Sequence, residues 1–150
     1  AIGEPYFRKK IFDNLINDEM KLATLIHPDV DIPKSTSIGE GTIICKYVSI
    51  TCDISIGQNV YIHPMACIGH DAIIKENSVV SSFVDIPGEC NIGSCTYLAI
   101  NVILKQGITV GNNSIIGMGS VVYNHIPNGV IAIGNPARPM KKNEEQRVFK

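Results

Sequence analysis

The sequence has 150 residues, 45% of them hydrophobic, which is the size of one ordinary domain and enough to bury a core. Its 13 basic and 14 acidic residues are mixed along the chain and leave a formal charge of -1, which argues against a nucleic-acid footprint or a membrane-surface patch. No apolar run approaches the roughly 20 residues that span a bilayer, and the first residues lack the charged-then-apolar pattern of a secretion signal.

Residues 1–25 are expected to form a helical lead-in. The stretch "PYFRKKIFDNLINDE", residues 5–19, places Phe7, Ile11 and Leu15, with Phe12 beside them, on one stripe of an amphipathic helix that opens at Pro5. The preceding "AIGE" has the character of a buried strand running into a helix, and Ala rather than Met at position 1 fits a processed or cut chain.

From Ile26 to Val122 every sixth residue is Ile, Leu or Val. Four residues after each comes a smaller or β-branched one, such as Thr42, Ala66, Ala72 or Ser78, and neither series contains a charge. A helix repeats its apolar face about every 3.6 residues and a strand about every 2, so an unbroken period of six fits short strands separated by corners. Three such units, about 18 residues, make one triangular coil of a parallel β-helix with its aliphatic side chains stacked inside. Gly39, Gly57, Gly93 and Gly111 each follow an aliphatic position and fall on one corner of successive coils, interrupted by Lys75. Glycine is expected there to supply unusual backbone angles.

The pattern of an aliphatic residue, often Gly, two variable residues and then a small one resembles the left-handed β-helix of the hexapeptide-repeat acyltransferases. It runs over residues 26–122 without insertion. That resemblance implies an all-β fold: a left-handed parallel β-helix over residues 26–126, a short helix before it and an irregular tail at 127–150. A generic β-solenoid shares the period, whereas an ice-binding solenoid would want flat Thr ladders on an outer face. "AIGE" and the helix resemble the last strand and helix of the small nucleotide-sugar-binding domain in the sialic-acid O-acetyltransferase-like branch. On that reading residues 1–25 are the remnant of such a domain; otherwise the helix caps the open end of the solenoid. The tail segment "YNHIPNGVIAIGNPARPMKK" breaks the period with Pro and Gly and turns basic. Its "GNPARPM" resembles the exit of many hexapeptide acetyltransferases, where the chain folds back beside the acyl-CoA groove.

Inside the repeat, "ACIGHDAIIKENS", residues 66–78, sets His70 beside Asp71. His70 lies between the inward positions Ile68 and Ala72, so it projects from a corner or an outer face, with Gly88 one coil above and Cys52 one coil below. A glycine at that place leaves open space beside the ring and a backbone N–H for a ligand carbonyl. An imidazole titrates near pH 6.5, which suits proton transfer at cellular pH and contributes about 10²- to 10⁴-fold when positioned. The pair is similar to the "GHD" or "HE" of the branch that includes bacterial UDP-4-amino-sugar N-acetyltransferases. By that resemblance His70 is the general base for acetyl transfer from acetyl-CoA to a sugar amine or hydroxyl, and Asp71 orients it. Neighbours on an extended chain point to opposite sides, so Asp71 reaches His70 only if the corner bends; Asp53, one coil below, is the alternative.

Gly88 is the candidate oxyanion donor. The resemblance further implies acetyl-CoA contacts at Ile100, Gly117, Met118 and Gly119, where the small residues of "IGMGS" let backbone amides meet pantetheine, with Arg138, Lys141 and Lys142 near the phosphates. His63 stands where those enzymes carry Asn, seven residues before the histidine, and is the candidate acceptor contact. The family also implies a homotrimer with parallel axes and sites between subunits, direct transfer through a ternary complex, no metal and a cytoplasmic setting. Five cysteines, an odd number with no CxxC pair, fit a reduced compartment, and none neighbours a base that would make it a nucleophile.

Two other readings share the fold. The γ-class carbonic anhydrases hold zinc on three histidines between subunits, and His27 and His63, 36 residues apart, lie on one column. That zinc site is similar to a pattern with two histidines five apart, whereas His63 and His70 are seven apart. A non-catalytic scaffold would bind partners on the solenoid faces and leave His70 dispensable.

Overall fold

The computed structural model describes residues 2–149; Ala1 and Lys150, the outer ends of the lead-in and tail, lie outside the described residues. The chain winds as a left-handed parallel β-helix behind one short helix. Two-residue strands pair in parallel with the strand 18 residues on, as in Ile43↔Tyr61, Cys67↔Asp85 and Ile73↔Asn91. Three sheets result. The first face carries Ile43–Ile44, Tyr61–Ile62 and their equivalents, the second Ser49–Ile50 and Cys67–Ile68, and the third Ser55–Ile56 and Ile73–Ile74. We call the corner from first to second face the first edge, from second to third the second edge, and from third back to first the third edge.

The two six-residue series meet inside the prism. Ile62, Ile68, Ile74, Ile86 and Ile92 are fully buried, interleaved with the smaller Val60, Ala66 and Ala72. Where the small position is a hydroxyl on the third edge, it is satisfied internally: Thr42, Ser78 and Thr96 donate to the carbonyls of Gly57, Gly93 and Gly111. The first coil packs less fully because it has a neighbour on one side only. There Ile26 is 37% exposed, and Ile32 and Ile38 are partly buried.

From Gly41 to Gly119 each corner turns through a residue of positive φ, and these too recur every six residues. The first edge uses Tyr47, Met65, Phe83, Asn101 and Gly119, the second Asp53, Asp71, Glu89 and Gly107, and the third Gly41, Asn59, Asn77, Cys95 and Asn113. The glycine column expected to supply such angles does not: none of Gly39, Gly57, Gly93 and Gly111 has positive φ. Glycine is needed there for close approach, since a Cβ on Gly57 would lie 2.6 Å from the Glu76 backbone nitrogen and one on Gly93 2.5 Å from that of Asn112.

The first face is covered by the chain's own ends. Helix α1 (Pro5–Asn17) lies against it through Pro5, Arg8 and Phe12; of the expected stripe Phe12 is buried and Leu15 half-buried, while Phe7 and Ile11 remain 37% and 43% exposed. The helix is rotated so that Arg8 reaches acceptors on the solenoid as well as the Ile2 carbonyl. Its guanidinium donates to the Asn59 carbonyl (2.9 Å) and Oδ1 (2.7 Å), and Asn59 Nδ2 donates to Asn77 Oδ1 (2.8 Å). Residues 2–4 form no strand, and Ile2 is exposed. Buried Glu4 instead accepts the backbone N–H groups of Val148 and Phe149, tying the lead-in to the tail. Phe149 stacks edge-on against Tyr97 of the first face.

The tail is more regular than expected. Val130–Gly134 extends the first-face sheet beside Ile115–Ile116, and Ala137–Lys142 pairs back antiparallel. Among the described residues, no helix is long and apolar enough to cross a membrane.

Candidate active site

The second edge builds the His–Asp pair. Asp71 occupies the left-handed corner position with φ 57°, one of the few non-glycine types that adopts it readily. This bend turns both side chains outward to the same place, and His70 Nδ1 lies 2.8 Å from Asp71 Oδ2. Asp71, not Asp53, is therefore the partner. A carboxylate accepts at Nδ1, so Nδ1 carries the ring proton and Nε2 presents its lone pair. The hydrogen bond that His70 Nδ1 donates to Asp71 raises the His70 pKa above 6.5, helped by Glu89 and Asp53 on the same column. Both members are exposed to solvent.

Gly88 sits directly above. The space its missing side chain leaves is occupied by the imidazole itself: a Cβ there would lie 2.4 Å from His70 Nε2. Below, exposed Cys52 has its thiol pKa raised by Asp53, which disfavours the thiolate.

The remaining expected site residues lie on the first edge. Ile100 and Met118 are 46% and 74% exposed. Gly117 and Gly119 already donate their N–H groups inside the solenoid, to the carbonyls of Ala132 (2.8 Å) and Ile100 (3.0 Å). Contacts from this corner must then use side chains and carbonyls rather than those two amides. The side chain of Ile133 fills the space beside Gly117.

His63 is on the first edge too, half-buried, with its ring 4.2 Å from that of Tyr61, over which the Arg8 guanidinium lies at 5.3 Å. Its Nε2 is buried without a hydrogen-bond partner, and burial, reinforced by Arg8, lowers its pKa. His27 shares that edge, where its Nδ1 accepts the Asp29 N–H. Among the described residues, no three His, Cys, Asp or Glu side chains are placed to hold a metal ion.

Sequence reasoning placed Asp53 one coil below Asp71 but left out Glu89 one coil above, although the same 18-residue spacing gives it. It gave Arg8 no role, since nothing local distinguishes it from Lys9 or Lys10.

No family model matches the chain. Its fold is shared with bacterial sugar N-acetyltransferases, which fits the hexapeptide-repeat acyltransferase class. One such structure is a histidine-to-asparagine variant of perosamine N-acetyltransferase from Caulobacter crescentus in complex with CoA and GDP-perosamine. It superposes with a TM-score of 0.91 at 27% identity, over 95% of this chain and 68% of that one. WeeI from Acinetobacter baumannii AYE gives 0.86 at 26% identity, over 93% and 68% of the two chains. The acetyltransferase domain of PglB from Neisseria gonorrhoeae gives 0.77 at 27%, with the same coverage. In sequence the chain is similar to galactoside O-acetyltransferase of Escherichia coli, 43% identical over 42 residues, which is 28% of this chain and 21% of that protein. The similarity therefore spans about a fifth of that relative's length.

Proposed function

We propose that this chain transfers acetyl from acetyl-CoA to a nucleotide-activated amino sugar or sialic-acid-type sugar used in bacterial surface glycans, in the cytoplasm. The observation that carries the reading is the His70 Nδ1 to Asp71 Oδ2 contact of 2.8 Å, which leaves Nε2 as a base on an exposed edge. In this scheme Nε2 takes the proton of the acceptor amine or hydroxyl as that group attacks the thioester carbonyl. Asp71 holds the ring and stabilises the imidazolium, and the departing CoA thiolate recovers the proton. Gly88, against Nε2, is the proposed source of the N–H for the oxyanion.

Acetyl-CoA would run past Ile100, Gly117, Met118 and Gly119, whose exposed apolar surface suits pantetheine, toward Arg138, Lys141 and Lys142. His63, on the same edge, is the proposed acceptor contact. These residues and His70 lie on different edges of one prism. A site that uses both edges is most simply completed by a second copy packed alongside, which supports a homotrimer with its sites between subunits. The second and third faces suit such packing, because only the first is covered by the chain's own ends.

The test is calorimetric titration of acetyl-CoA into the wild type and His70→Ala, followed by thiol release with UDP-4-amino sugars. Equal binding with turnover lost only in His70→Ala is the expected result. Absence of acetyl-CoA binding would remove the reading.

A further inference from the structure

An apolar groove separates helix α1 from the start of the first face. It encloses about 240 Å³ between Ile2, Ile11, Leu15, Leu22, Leu25 and Ile43, and its rim is open, with Ile2, Ile11 and Leu25 exposed. Arg8 and Asn59, each only 7% exposed, form its inner end. We infer that this groove binds a small amphipathic carboxylate, with its apolar body along the groove and its anionic head on Arg8. The inference is independent of the acyltransferase reading above.

The observation that carries it is an unbalanced charge. A guanidinium stays protonated in proteins, and buried charges are ordinarily paired. Among the described residues, however, no carboxylate forms an ion pair with Arg8. Glu4, one helical turn before it, is engaged by the backbone N–H groups of Val148 and Phe149. The acceptors that Arg8 does meet are neutral: the Asn59 carbonyl for Nε and Nη2, Asn59 Oδ1 for Nη2, and the Ile2 carbonyl for Nη1. One Nη1 N–H is left without a partner among the described residues. A buried cation with a free donor at the end of an open apolar groove is matched by an anion with an apolar body.

The lining selects the kind of anion. A phosphate calls for several donors, whereas the side chains around Arg8 and Asn59 here are apolar. A carboxylate can accept the one free N–H while its hydrocarbon part covers Ile11, Leu15 and Leu25. An apolar cavity of about 150 Å³ holds benzene, so a groove of about 240 Å³ suits an acid of roughly eight carbons. Its arrival would be felt beyond the groove. The guanidinium lies 5.3 Å from the centre of the Tyr61 ring, and that ring lies 4.2 Å from His63.

The experiment titrates octanoate, and octanol as its neutral match, into the wild type, Ala23→Trp and Leu25→Glu by calorimetry, while NMR follows the titration of the His63 ring. Ala23 lines the groove beside Leu25, and both are exposed, so the two variants keep the fold; unchanged thermal midpoints check this. Octanoate should bind the wild type about 10-fold or more tightly than octanol, since a charge-assisted hydrogen bond is made only by the acid. Both variants should weaken octanoate by about 10-fold or more, the first by filling the groove and the second by setting a like charge at its mouth. Octanoate, but not octanol, should raise the pKa of His63, because the anion offsets the Arg8 charge that lowers it. Equal affinity for acid and alcohol overturns the inference. So does octanoate that fails to bind at millimolar concentration, binds both variants as well as wild type, or leaves His63 unmoved. Each of these leaves the acyltransferase reading standing, and failure of the wild type to bind acetyl-CoA removes that reading without touching this one.

Discussion

The Cα of Gly88 supports the His70 ring so closely that a Cβ there would stand 2.4 Å from Nε2. The clashing partner is an exposed side chain, free to swing away. Gly88→Ala should therefore lower turnover by about 100-fold, since a displacement of about 1 Å at a reacting group is worth that much, and cost less than about 1 kcal/mol in stability. Gly69→Ala is the contrasting case. Its Cβ would meet the Gly88 backbone nitrogen at 2.4 Å, and a neighbouring coil cannot swing away. A loss of about 1–3 kcal/mol is expected. Thiol-release kinetics and thermal unfolding of the two variants separate these outcomes.

Asp71→Asn keeps a residue that accepts the left-handed corner but removes the charge that raises the His70 pKa. The acidic limb of the kcat/KM profile should lie above pH 6.5 in the wild type and shift to lower pH in the variant. The plateau should drop by about 10-fold or more because the tautomer is no longer fixed. A pH–rate profile of both proteins checks the direction. The same interaction adds stability that is present below the unfolded pKa and disappears as pH rises through the raised folded value, so Asp71→Asn should flatten that dependence.

His63 titrates in the opposite sense. Burial lowers its folded-state pKa below 6.5, so the unfolded chain binds more protons in the window between the two values. Stability should rise with pH across that window and fall on acidification through it, as protonation sets a second cation beside Arg8. His63→Asn should remove this slope in thermal midpoints recorded between about pH 5 and 8.

Arg8→Ala removes a buried guanidinium and leaves the Asn59 carbonyl and Oδ1 without their donor. Hydrogen bonds to charged groups contribute about 1.5–3 kcal/mol, and a destabilisation of that size is expected. Urea unfolding measures it, and faster exchange of the α1 amides would locate it.

Ile26 and Ile86 occupy equivalent places in the six-residue pattern yet differ in burial, 37% exposed against 0%. Ile86→Ala should cost about 2–5 kcal/mol through the cavity it leaves, whereas Ile26→Ala should cost less than about 1 kcal/mol. Paired denaturation curves decide it.

The period of six determined the architecture by itself. Each inward Ile or Val repeats where the next coil requires it, and stacked coils reward the same pattern every 18 residues, so local sequence and global fold coincide. The place of His70 outside the core followed from the same count. What the period could not carry was any relationship set by backbone hand or by the covering of a face. Whether Asp71 or Asp53 met His70 depended on a positive φ at position 71. The glycine column arose from backbone contact between coils, a three-dimensional distance that resembles a turn preference in sequence. The face that α1 presents was decided by buried acceptors on Asn59, 51 residues away from Arg8, outweighing the apolar stripe. The division of site residues between two edges emerged only once three faces closed into a prism, because neighbours along the chain then point from different corners.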